Sequence, residues 1–332
     1  MKEGYKKIIF YVSFSALGVF WAEALSTNIP QALINPFLYL GYGLLYVFFL
    51  DALMRWNEKS FVVWYLFGAL VGLITETYIA KVTFYGLDPS AFRILGVAPS
   101  EIAFIILFYH AFFSFLAPAY LAKRILKVPL PIVEKQFIDV LFVFAPIILI
   151  PVIYSEMVMR GLDLFYLIKL LSMSALILIL WIMLLCSLKK IENVLLTDKE
   201  RNGLLVFTFL IYLVFTIKAT NKAHGHAPMD IPLVPMIGVS FVIILVLCLI
   251  YKKIGQNKDF IHKIEYYPGS INFPVFLVWL SWHLLVTAMC LYFVIKYQCS
   301  IKIFLICFGL VGTFLGIIFF VSSIIFLLKK SS

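Results

Sequence analysis

The chain has 332 residues, 64% hydrophobic and only 13% charged, with a mean hydropathy of +1.05. A soluble domain is about half apolar and about a quarter charged, so a water-solvated globule is excluded and lipid is the solvent that fits. The net charge of +10 does not point to nucleic acid, because the basic residues cluster briefly between apolar runs. That distribution sets membrane topology and can draw anionic headgroups to one face.

Apolar runs of about 20 residues, enough to cross about 30 Å of hydrocarbon, fall near 8–26, 33–54, 61–83, 101–122, 138–157, 163–188, 202–219, 232–251, 273–296 and 303–328. Sustained period-two alternation is absent, and backbone groups in lipid must bond within their own segment, so the runs read as helices rather than a barrel. The expected fold is an all-α, polytopic transmembrane bundle of about ten spans, one integral membrane domain over 1–332. Lys2, Lys6 and Lys7 before the first run and Ala22-Glu23-Ala24 at its end outline a signal peptide. The run is long for one and Glu23 is foreign to a cleavage site, so an uncleaved first helix is expected. Nineteen of the 27 Lys and Arg residues lie at the termini and in the alternate loops that share their side. The excess places both termini in the cytoplasm and the protein in a cell membrane.

Chemistry is sought among the charges inside spans, which are costly and either functional or paired. At helical rise, Glu76 sits about 10 Å, His110 about 14 Å and Lys169 about 9 Å from the outer boundary of the third, fourth and sixth spans. Glu23 lies near the outer end of the first span, and His283 nearer the midplane of the ninth. Gly68, Gly72 and Glu76 recur at intervals of four, on one face. The GxxxG pair lets another helix approach, so Glu76 should face protein. Glu76 then reads either as a carboxyl locked by Lys81, Lys169 or backbone donors, or as a working acid, base or ion ligand. His110, with Ser114 and Ala117 on its stripe, reads as a packing histidine or as a proton carrier. Lys169 is expected to neutralise a glutamate, and His283, beside Trp282 and Trp279, to sit in a packed aromatic patch or join the site.

His224, Gly225, His226 and Asp230 form the one compact set of possible metal ligands, but no third strong ligand follows at a diagnostic spacing. A solvated loop is expected there. Cys186, Cys248, Cys290, Cys299 and Cys307 are scattered without CxxC spacing and read as small buried hydrophobes. HExxH, GxSxG, Walker A and GxGxxG motifs are missing, so no cofactor is expected. Asn35-Pro36, Pro146 and Pro151 can break or kink helices around a cavity.

Two resemblances add to this reading. The stretch Ala22-Glu23-Ala24-Leu25-Ser26-Thr27, then Asn35-Pro36-Phe37 and Gly72-Leu73-Ile74-Thr75-Glu76, resembles an uncharacterised family of prokaryotic multi-pass membrane proteins, over the first quarter of the chain. Glu76 and the later histidines are also similar to CPBP-type intramembrane proteases, whose EExxxR motif is followed by histidines on later helices. Here Thr75-Glu76 stands for the paired glutamates, Lys81 falls one residue beyond the arginine, and Ile106 replaces a phenylalanine four residues before His110.

The expected function is a gradient-driven transporter or permease for a small solute, with a polar cavity lined by Glu23, Glu76, His110 and Lys169. Proton coupling would run through Glu76 and His110. The alternatives are an intramembrane enzyme using Glu76 with His110 and His283, and a non-catalytic scaffold. The expected partners are the lipid bilayer and a small solute, with no nucleic acid.

Overall fold

In hydrocarbon no water satisfies a backbone N–H or C=O, and a helix satisfies them internally. The computed structural model describes residues 1–25, 32–85, 92–133, 145, 164–218, 233–254, 260–297 and 301–329. Its long helices are α1 (Glu3–Val19, continued by a π-helical turn over Phe20–Ala24) and α2 (Pro36–Leu38, a π-helical turn over Tyr39–Gly43, then Leu44–Arg55). These are followed by α3 (Phe61–Tyr78) and α4 (Pro99–Glu101, a π-helix over Ile102–Leu116, then Ala117–Arg124). Then come α5 (Leu164–Cys186), α6 (Asp198–Lys218), α7 (Leu233–Ile254), α8 (Phe273–Tyr297) and α9 (Ile301–Leu328).

Among the described residues, eight helices are long and apolar enough to cross a membrane, and α8 adds a shorter apolar helix over Phe273–Met289. The same residues hold no strand, only the isolated bridges Ile94–Val97 and Ile191–Tyr266. The all-helical membrane fold read from the sequence is therefore the fold observed. Of the ten expected spans, 138–157 lies outside the described residues. Asn35-Pro36 starts α2 rather than breaking it: the Asn35 side chain accepts from the Phe37 N–H at 3.0 Å, and Pro36 takes the first helical position, where a missing N–H costs nothing.

Two compact units share the chain. The first gathers Met1–Val47, Phe113–Leu195 and His262–Phe308, and the second gathers Phe48–Phe112, Leu196–Ile261 and Gly309–Ser332. In the first unit, α1 packs on α5 and on the π-helical turn of α2. The Ser13 hydroxyl donates to Trp181 O at 3.1 Å, and the Lys6 and Lys7 ammonium groups donate to Lys190 O and Leu195 O, each at 2.8 Å. The Tyr46 hydroxyl donates to Ser114 O at 2.6 Å. Near the Ile191–Tyr266 bridge, Lys190 and Lys263 both lie 3.0 Å from Glu265. Hydrogen bonds from Lys263 and Lys190 pull the Glu265 carboxyl down to about 2. The cluster is exposed and screened, so its stabilising effect is small.

In the second unit, α3 packs on α6 and α7. α9 meets the π-helix of α4 through the glycines of the second GxxxG pair. A methyl group on Gly312 would lie 2.8 Å from the Phe104 and Phe108 rings, and one on Gly316 would run into the Ala103 carbonyl oxygen. The Tyr65 hydroxyl sits 2.8 Å from Leu107 O and 3.1 Å from Gly316 O, so its one proton is shared by two carbonyls.

Gly316→Leu should therefore cost about 1–3 kcal/mol through overpacking, read as a lower thermal midpoint in detergent. Gly309→Leu, where an added methyl meets nothing within 4 Å, should leave the midpoint unchanged. Equal losses from both would refute close packing at Gly316.

Candidate functional site

α3 and the π-helix of α4 touch where α3 has no side chain. A methyl group on Gly72 would lie 2.5 Å from His110 Cβ and 2.9 Å from its Cγ, so no other residue fits this crossing without displacing His110. One turn further along α3, Glu76 Oε1 lies 3.0 Å from His110 Nε2. His110 is 3% exposed and Glu76 6%, so protein rather than water surrounds both groups. With a proton on Nε2 the imidazole donates to the carboxylate, and with both nitrogens protonated the contact becomes an ion pair. Tyr109 packs edge-on against the imidazole, with centroids 5.5 Å apart.

Tyr212 of α6, not singled out above, is buried on a helix that packs against α3. Thr208, Tyr212 and Thr216 recur at intervals of four in an otherwise apolar run. That polar stripe was the available signal. Thr75, by contrast, turns back on its own helix, its hydroxyl 2.9 Å from Val71 O and 3.1 Å from Gly72 O.

Glu23, His283 and Lys169 belong to the first unit. Glu23 is buried within the π-helical turn that ends α1. His283 is buried in an aromatic patch. Its ring centroid lies 4.5 Å from that of Trp279 and 5.5 Å from that of Trp21, and its Nδ1 is 2.9 Å from Trp279 O. Lys169 is exposed on α5, and no carboxylate among the described residues pairs with it. His224, His226 and Asp230 lie outside the described residues. Among the described residues no three His, Cys, Asp or Glu side chains gather to hold a metal.

The second unit also contains an apolar cleft of about 610 Å³. It is walled by Leu66, Ala69, Leu70 and Leu73 of α3, by Leu95 and Val97, by Ile102 and Leu107 of α4, by α7 from Val234 to Val246, and by Phe320 of α9. Among the described residues its wall contains no polar side chain. The α3 wall residues form a single stripe, distinct from the Gly68–Gly72–Glu76 face that meets His110.

A family model described as an uncharacterised membrane protein family matches residues 13–330. The chain belongs to that family. The match extends the likeness read from the first quarter to nearly the whole chain, and it includes the Glu76–His110 pair. Over 128 residues the chain is also 30% identical to an uncharacterised protein of Archaeoglobus fulgidus. The aligned part covers 36% of this chain and 39% of that protein, so the chain spans about two fifths of the length of the curated relative it matches. No solved structure matches the chain. Neither of the matches found bears on the likeness to CPBP-type proteases.

Because Gly72 permits the contact, Gly72→Ala should displace His110 and destabilise by about 1–3 kcal/mol. Thermal unfolding in detergent reads the loss, with Gly203→Ala, where nothing lies within 4 Å, as the neutral control. A Gly72→Ala protein as stable as wild type would show that α3 and α4 do not depend on this approach.

Proposed function

We propose that this membrane protein is a gradient-driven transporter of a small solute, in which Glu76 and His110 form one proton-carrying pair. The observation that supports this is a 3.0 Å contact between two ionisable groups almost wholly removed from water, inside spanning helices. Such groups are expensive in a membrane and are kept where they move charge or bind. A proton added to the pair changes its net charge by one, so the pair reads a proton gradient as a change in what holds α3 to α4. The π-helix that carries His110 strengthens the reading, since π-helical segments occur frequently at functional sites. No nucleotide motif is present in the sequence, so an ion gradient supplies the energy. The excess of Lys and Arg places both termini on the cytoplasmic side of a cell membrane.

A second reading, an intramembrane enzyme, draws on the same buried contact. There Glu76 would orient His110 as a general base toward a substrate. It differs from transport in requiring a covalent product.

The test is charge displacement in proteoliposomes adsorbed on a solid-supported electrode. A pH jump should give a transient current in the wild-type protein. The current should vanish in Glu76→Gln, whose amide keeps the hydrogen-bonding shape without the titrating group, while the thermal midpoint stays close to wild type. Glu76→Ala should instead lose about 1–3 kcal/mol of stability, because it strands a buried imidazole. A full current from Glu76→Gln, or a Glu76→Gln protein that does not fold, would make the pair a structural clasp and end the transport reading.

A further inference from the structure

We infer that the cleft in the second unit is a binding site for a single hydrocarbon chain of a membrane amphiphile, so the solute is lipid-like rather than water-soluble. The inference rests on the transport reading only in calling that amphiphile the substrate. The volume, about 610 Å³, lies within the range of about 300–1,000 Å³ typical of ligand sites. A site for a water-soluble solute places polar groups in its wall to replace lost hydration. Among the described residues none of the lining side chains is polar, so against this wall a polar solute would enter at the full cost of desolvation and a methylene chain at none.

The surroundings identify the source of the chain. Val234 is 82% exposed and Val242 43% on α7. On a spanning helix of this apolarity such side chains face lipid, so the α7 side of the mouth opens toward acyl chains. Gly238 keeps the cleft open, because nothing lies within 4 Å of a methyl group placed on it.

The experiment is photo-crosslinking of the full chain in vesicles doped with a diazirine-tagged fatty-acyl probe or a diazirine-tagged isoprenoid probe, followed by peptide mapping. At least one probe should label α3 or α7 residues of the cleft saturably, and its untagged analogue should compete. Labelling at Val278, exposed on α8, should rise without saturation, as for bulk lipid. Gly238→Phe, which fills the open space, should abolish cleft labelling while leaving Val278 labelling unchanged and the thermal midpoint close to wild type. Gly238→Ala, which leaves room, should reduce labelling only slightly and stands in if the phenylalanine variant does not fold. Saturable labelling by one probe alone assigns the chain class. Unsaturable labelling in the cleft, or full labelling of Gly238→Phe, would overturn the inference and leave the proton-carrying role of Glu76 untouched. Loss of the Glu76-dependent current with cleft labelling preserved would do the reverse.

Discussion

The contact between Glu76 and His110 exists because two helices come together at Gly72, and the second unit is arranged around the same demand. A polar group buried in hydrocarbon without a partner costs several kcal/mol, so every departure from regular helix has to be answered nearby. The π-helix of α4 shifts its hydrogen bonds to a wider register, and tyrosine hydroxyls answer two of its carbonyls. Tyr65 serves Leu107 O in one unit, and Tyr46 serves Ser114 O in the other. Glycines make the approaches possible. Gly316 lets α9 lie against the Ala103 carbonyl, and Gly72 lets α3 lie against His110. Small residues serve in place of a hydrophobic driving force, which lipid does not provide between helices.

Glu23 and His110 both lie in π-helical segments. In the proton-carrying reading proposed for the pair, gain or loss of one charge would alter what holds α3 to the π-helix of α4. Transport and catalysis would both use this property. They differ in whether the substrate is released unchanged.

The apolar cleft bears on the proposed solute on different grounds. A wall whose described side chains are all apolar would select by the cost of desolvation rather than by recognition.

Much of this was legible in the sequence. Twenty-residue apolar runs leave a chain only helices in lipid, so the fold class followed from length and composition. The Gly72–Glu76 spacing put a carboxylate on a packing face, because helical periodicity is local. Its partner was not legible. Lys81 and Lys169 were as eligible as His110 on charge alone, and only the crossing of α3 with α4 chose the histidine. Tyr212 was overlooked because a tyrosine in an apolar run is unremarkable until another helix is seen against it. Lys169, expected to neutralise a glutamate, is exposed on α5, and His283 lies between two indoles. The sequence by itself determined that the chain is a helical membrane protein and which residues carry unwanted charge into it, because those properties depend on neighbours a few positions away. Which charges meet was decided by the tertiary structure alone, because meeting depends on where helices far apart in the chain can approach most closely, and that is a matter of shape.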